Sequence, residues 1–202
     1  MKKLLLLLGL LMVVPTLAFA QATSIIGTYY VDYYSNNAGP VPGAPDQIIG
    51  AINVGTLGTP LTSPTGDICT NIYVFDNNQE MIACCSGHLT PNGEGAASVG
   101  SQVTNNPLTS VVPPSGVIKI TLTPRPPGHC DPTVSTTAPD ATLGVVFATH
   151  LQVTGGRTFV TETQVLPSPL SAAEEQFLQT ACSFTLYLGS GKGTCLSRSG
   201  TQ

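Results

Sequence analysis

Tryptophan is absent from the 202 residues, aromatics make up 6% and charged residues only 9%. Typical soluble domains carry about 25% charged residues. A nucleic-acid binder needs a basic surface, and seven Lys and Arg against eleven Asp and Glu do not supply one. A polybasic membrane patch is excluded on the same ground. After residue 20 no apolar run reaches the length of about 20 residues that a bilayer span needs. The G-x-S-x-G elbow of many hydrolases is missing, and so is the redox C-x-x-C pair. "GSGKGT" (Gly189–Thr194) falls short of a phosphate loop. Gly193 stands where Ser or Thr is required, and the segment follows a predicted helix instead of opening one. It reads as a connector. No repeat of fixed period is present.

What is present begins with "MKKLLLLLGLLMVVPTLAFA". Lys2 and Lys3 precede an apolar run, Leu4 to Val14, and Ala18-Phe19-Ala20 places small residues where a signal peptidase cuts. Residues 1–20 therefore read as a signal peptide, with Ala22 as a second possible cut. Cleavage removes Lys2 and Lys3, leaving five Lys and Arg against eleven Asp and Glu, a net charge of −6. The expected location is outside the cytoplasm, periplasmic or extracellular.

Short runs of β-forming residues follow, split by Gly, Pro and Asn. Expected strands are Ser24–Tyr34, Gln47–Val54, Asn71–Asp76, Glu80–Cys85, Gly116–Thr123, Leu143–Val153 and Arg157–Val165, with a weaker run near Ala96–Val103. Gly155-Gly156 tolerates the positive φ of a two-residue hairpin turn. That turn pairs Val153 with Thr158 and Leu151 with Val160. Leu151, Val153 and Val160 then share an apolar face, suited to covering a core, and His150, Gln152, Arg157, Phe159 and Thr161 share a mixed one.

Ser171 followed by Glu174 is a capping-box signature. Apolar residues from Phe177 to Leu188 recur at helical spacing. A helix is expected over 172–188, closed by Gly189. "SFTLYL" read alone as a strand would stop it near Ala181. The expected fold is mainly β: an antiparallel β-sandwich or barrel-like domain with one C-terminal helix, stapled by disulfides. Residues 21–168 form the β-rich region, and residues 169–202 the helix and disulfide loop on the same domain.

Six cysteines, Cys69, Cys84, Cys85, Cys130, Cys182 and Cys195, are an even set that suits disulfides in an exported chain. Six allow 15 connectivities. A turn around Asn77-Asn78 sets Cys69 opposite Cys85, or diagonal to Cys84. A bond between Cys84 and Cys85 themselves would be strained. The neighbours thus have separate partners, one closing the hairpin to Cys69 and the other reaching a remote element. Cys195 returns to Cys182, or else it crosses to the Cys84-Cys85 region and Cys130 takes Cys182. A metal reading would use Cys84, Cys85 and His88, with His129 and Cys130. It lacks the paired spacings of zinc sites, so no metal and no cofactor is expected.

"CTNIYVFDNNQEMIACCSGHLTPNG", "LTSVVPPSGVIKI" and "TETQVLPSPLSAAEEQFLQTACSF…LGSGKGTC" resemble a family of exported bacterial β-rich proteins to which no activity is attached. The resemblance covers most of the chain from Cys69 onward. The family pattern has two further cysteines, at the positions of Gly87 and Ser197 here. Their joint absence implies that the two bond each other in the family. The resemblance thereby favours a bond from Cys85 to Cys195 and places Gly87 near Ser197.

Two function classes stay open. The first is a non-enzymatic exported binding or envelope-associated module. "TYYVDYY" holds four of the six tyrosines. Tyr30 and Tyr34 share one strand face and Tyr29 and Tyr33 the other, and exposed aromatics on a sheet suit a polysaccharide or protein surface. Tyr30 and Tyr34 are the expected binding pair. The second is a secreted hydrolase using Glu162, His150 or Asp32. A deep pocket joining His150 to a carboxylate would favour it. The acidic residues Asp67, Asp76 and Asp131 lack the spacing of a calcium loop.

Overall fold

A computed structural model describes residues 24–35, 46–58, 66–105, 112–188 and 195. The leader, the Gly189 cap, "GSGKGT" and Ser197 lie outside them. Among the described residues nine strands form two separate antiparallel sheets, as in a sandwich and not a closed barrel. They are β1 (Ile25–Ser35), β2 (Ile48–Asn53), β3 (Ile68–Asp76), β4 (Met81–Leu89), β5 (Glu94–Ser98), β6 (Ser115–Pro124), β7 (Gly144–Thr154), β8 (Arg157–Gln164) and β9 (Pro167–Ser171). The first sheet has the order β4-β3-β6-β1-β9, the second β5-β2-β7-β8.

Strand alternation sorts the side chains. Ile68, Val74, Ile118, Ile120 and Leu122 of the first sheet meet Ile49, Ala51, Val146 and Ala148 of the second in the main core. Gly50 is on the outer side of β2, and a Cβ there would strike the Phe147 ring. The second core lies on the outer face of the first sheet. There Tyr73, Phe75, Cys84 and Leu170 pack against Leu178 and Cys182 of helix α1 (Ala172–Ser183). Ser171 caps α1 through Oγ, which accepts the Glu174 N–H. Lys119 joins sheet to helix, 2.5 Å from Glu174 and over the Phe75 ring. The helix runs on through a π-helical turn, Phe184–Leu188, so "SFTLYL" is not a strand.

β9 was not expected. Pro167 and Pro169 mark it as loop, yet an edge strand can accommodate a residue without an N–H, and β9 pairs with β1 over Tyr30–Ile25.

The disulfides are Cys69–Cys130, Cys84–Cys182 and Cys85–Cys195. Cys84 and Cys85 do reach separate partners, because neighbours on a strand point to opposite faces. Cys84 faces outward to the helix, and Cys85 packs with Cys195 on the main core. The expected hairpin bond from Cys69 to this pair does not form. The turn keeps three residues between Asp76 and Glu80, with Gln79 at φ 70°, and β4 adds a bulge beside Val74 and Phe75. Together they slide the register until Cys69 faces His88. Cys69 instead holds the 125–140 loop, so neither Cys182–Cys195 nor Cys130–Cys182 exists. Among the described residues no helix is long and apolar enough to cross a membrane.

Candidate functional site

Tyr30 and Tyr34 do not form a binding surface, since both are buried in the main core. The Tyr30 hydroxyl donates toward the Gly144 and Ala141 carbonyls. Tyr34 lies against Gly116, where any Cβ would strike its ring and hydroxyl. Burial raises the pKa of both hydroxyls. The inward face of β1 is the one carrying Tyr30, Asp32 and Tyr34. Alternation separates these from Tyr29 and Tyr33, but it cannot tell which set points inward when both are tyrosines. Tyr33 is the displayed aromatic, 61% exposed.

The β7–β8 hairpin has the expected register, Val153 against Thr158 and Leu151 against Val160. Gly155 and Gly156 have φ of 60° and 72°, as a two-residue turn requires. Its faces are reversed from expectation. His150 lies on the inward face with Val146 and Ala148, while Val160 points outward and is 52% exposed. The first sheet runs out before it can cover this hairpin. β9 leaves β1 at Tyr30, so β1 is an edge from Val31 to Ser35.

Between that edge and the inward face of the hairpin lies an open groove of about 470 Å³. Asp32, Tyr33, His150, Gln152, Thr161 and Thr163 line it, together with Gln164 and Leu166. Asp32 and His150 come from opposite sheets. The His150 ring stacks on Tyr33, with centroids 4.6 Å apart.

Gln47 sets the chemistry of this cluster. It is buried, and its amide plugs the β1 edge. Oε1 accepts the Ser35 N–H and Nε2 donates to the Tyr33 carbonyl, each at 3.2 Å. The same Nε2 faces His150 Nδ1 at 3.4 Å. An amide nitrogen cannot accept a hydrogen bond, so in the neutral ring Nδ1 accepts and the proton sits on Nε2. Nε2 faces Asp32 Oδ1 at 3.4 Å. Asp32 Oδ2 is buried, without a hydrogen-bond partner among the described residues. Burial raises the Asp32 pKa, and His150 and the Tyr33 N–H offset part of that rise.

Both ring nitrogens of His150 are therefore engaged. A histidine that activates a nucleophile keeps one nitrogen on its orienting carboxylate and the other free. Glu162 does not join the cluster. It faces Thr149, on the outward side of the hairpin.

The other histidines are placed apart. His88 Nε2 lies 2.6 Å from Asp67, whose carboxylate also meets Arg125. His129 lines a hollow of about 230 Å³ beside the Cys69–Cys130 bond, with Pro126, Pro127 and Asp131. Asp131 there accepts from the Thr133 N–H and hydroxyl, closing its own turn. Cys84, Cys85 and Cys130 are spent in disulfides, so they offer no thiolate to a metal. Among the described residues no group of three His, Cys, Asp or Glu is placed to hold one.

Comparison with family models, with curated proteins and with solved structures finds no match to this chain. Tyr33, Gln47 and the inward face of β8 were not singled out as site residues by sequence. The signal for Tyr33 was its place in "TYYVDYY"; Gln47 carries none, because its role depends on where β9 ends.

Proposed function

We propose that the protein is an exported, non-enzymatic binding module, periplasmic or extracellular, whose groove holds a neutral, hydroxyl-rich ligand of the saccharide class. The signal-like leader and three disulfides support export, since such bonds persist in oxidising compartments. The observation that carries the ligand class is the groove's polar lining: the Thr161 and Thr163 hydroxyls and the Gln152 amide lie exposed beside Tyr33, with the Asp32 carboxylate in the wall. Ligand hydroxyls donate to and accept from these side chains. An anionic ligand would meet the carboxylate unfavourably. A wholly apolar one would strand it along with the Thr and Gln side chains around it. Tyr33, held flat by its stack on His150, offers a face to the C–H side of a sugar ring.

A secreted hydrolase is the second reading, favoured by the groove that joins His150 to the Asp32 carboxylate, although that groove is open and not a deep pocket. A carboxyl with a raised pKa suits a general acid. A glycosidase needs a second carboxylate across the cleft, and Glu162 lies on the other face.

The test is affinity electrophoresis through gels containing neutral polysaccharides, followed by assay of the polymers for new reducing ends. Retardation that Tyr33→Ala abolishes, with polymers left intact, supports the binding module. New reducing ends that Asp32→Asn abolishes would establish the hydrolase. No retardation by any neutral polymer would overturn the ligand class.

A further inference from the structure

Among the described residues the outer strands are β4 and β9 in the first sheet and β5 and β8 in the second, and β1 adds a short edge, Val31–Ser35, which the Gln47 amide occupies. An unprotected edge recruits another strand, so folded proteins guard theirs. β9 carries Pro167 and Pro169, which donate no N–H. β4 lies under the C-terminal helical segment, bonded through Cys84–Cys182 and approached by the Thr185 hydroxyl at the Met81 carbonyl. β5 is only five residues long, and the Ser98 N–H at its end is taken by the Gln102 side chain.

β8 has no such guard. It runs for eight residues without Pro, Lys or bulge, in unbroken register with β7. Phe159 and Val160, on opposite faces, are 50% and 52% exposed. Among the described residues no strand pairs with its outer edge.

We propose that β8 pairs antiparallel with β8 of a second copy about a twofold axis at Val160, joining two four-stranded sheets into one of eight. Residues directly opposite each other in a sheet share a face. A twofold axis normal to the sheet must therefore pass through a residue pair of like number. The axis at Val160 sets Val160 against Val160, Phe159 against Thr161, Thr158 against Glu162 and Arg157 against Thr163.

The strand's own chemistry selects a second copy and this register. Arg157 and Glu162 are its only charges and cancel, although the whole chain is acidic. With the axis at Val160 no like charges are opposed, whereas an axis at Glu162 would face two carboxylates. Thr158 Oγ1 is buried and has no hydrogen-bond partner among the described residues. Opposite Glu162 it gains a carboxylate acceptor on turning about χ1, twice by symmetry. On the inward face, Phe159 of each copy comes beside Thr161 of the other. Thr161 lines the groove, so each copy lengthens its neighbour's groove with an aromatic side chain.

Sedimentation velocity of the oxidised protein tests this, run from low to high micromolar concentration. The expected result is a reversible rise to twice the chain mass. Val160→Lys, which places a charge on the axis, holds the protein at the single-chain mass. Val160→Cys forms a symmetric cross-link while the three native bonds stay intact in the peptide map. Three outcomes overturn the proposal: a single-chain mass throughout, including a chain that pairs with an added extended peptide instead; a dimer that Val160→Lys leaves unchanged; and a dimer in which Val160→Cys does not cross-link.

Discussion

β3–β4 and β7–β8 are both antiparallel hairpins, yet β3 is almost wholly buried and β8 almost wholly exposed. β3 sits inside its sheet, with β4 on one side and β6 on the other. The main core covers one of its faces, and the helix and the 125–140 loop cover the other. All three disulfides start from β3 or β4. β8 is the last strand of its sheet and extends past the point where the opposing sheet ends. No covalent bond reaches it, and its inward face meets a groove instead of a core. Fixing one side of the sandwich leaves the other free to present polar groups that a close-packed interior would not tolerate.

The largest effect expected from breaking that contrast is on the stapled side. Replacing Cys84 and Cys182 together by Ala frees the helix from the sheet, across a separation of 98 residues. Thermal unfolding should report a loss of about 2–5 kcal/mol. Removing the α1 cap with Ser171→Ala should cost about 1 kcal/mol in the same measurement.

Asp32→Asn carries a sign that depends on pH. Asp32 has a folded pKa raised above its ordinary value of 3.8. The native state thus binds its proton more tightly than the unfolded chain does, and stability falls as pH rises from 3.8 through the raised value. Asn stays neutral and still accepts from His150 Nε2. The variant should therefore unfold at a higher temperature than the parent at pH 7, with the gap closing as the pH is lowered past 3.8. A gap that widens on acidification would show that the carboxylate stabilises the fold. The smallest effect belongs to the open hairpin. Phe159→Ser should change the stability of the dilute protein by no more than about 0.5 kcal/mol in urea unfolding.

The same two hairpins show what sequence can and cannot reveal. Gly155-Gly156 fixed both turn length and register, because two residues at positive φ admit few alternatives. Asp76 to Glu80 did not, because Gln79 takes a left-handed conformation that its residue type does not advertise, and the bulge in β4 has no sequence mark. That shift moved Cys69 away from Cys84 and Cys85 and hid Cys69–Cys130 and Cys84–Cys182, whereas Cys85–Cys195 is the bond that the family resemblance favoured. The separate fates of the two adjacent cysteines were legible, since strand alternation alone requires them. Which faces of β1 and β7 point inward was not. It depends on where the opposing sheet ends, and β9, the strand that sets that limit, is disguised by its prolines. The candidate site was legible only as the scattered residues Asp32 and His150, with nothing to say that two sheets would bring them together.

The central claim is that binding belongs to the open side and structural fastening to the stapled side. Amide chemical-shift mapping of the labelled, oxidised protein during titration with neutral oligosaccharides tests it most directly. Shifts should concentrate at Val31–Ser35, at His150–Gln152 and along Thr161–Leu166, and leave β3, β4 and the helix unmoved. Shifts centred on the hollow beside Cys69–Cys130, or none at saturating ligand, would contradict it.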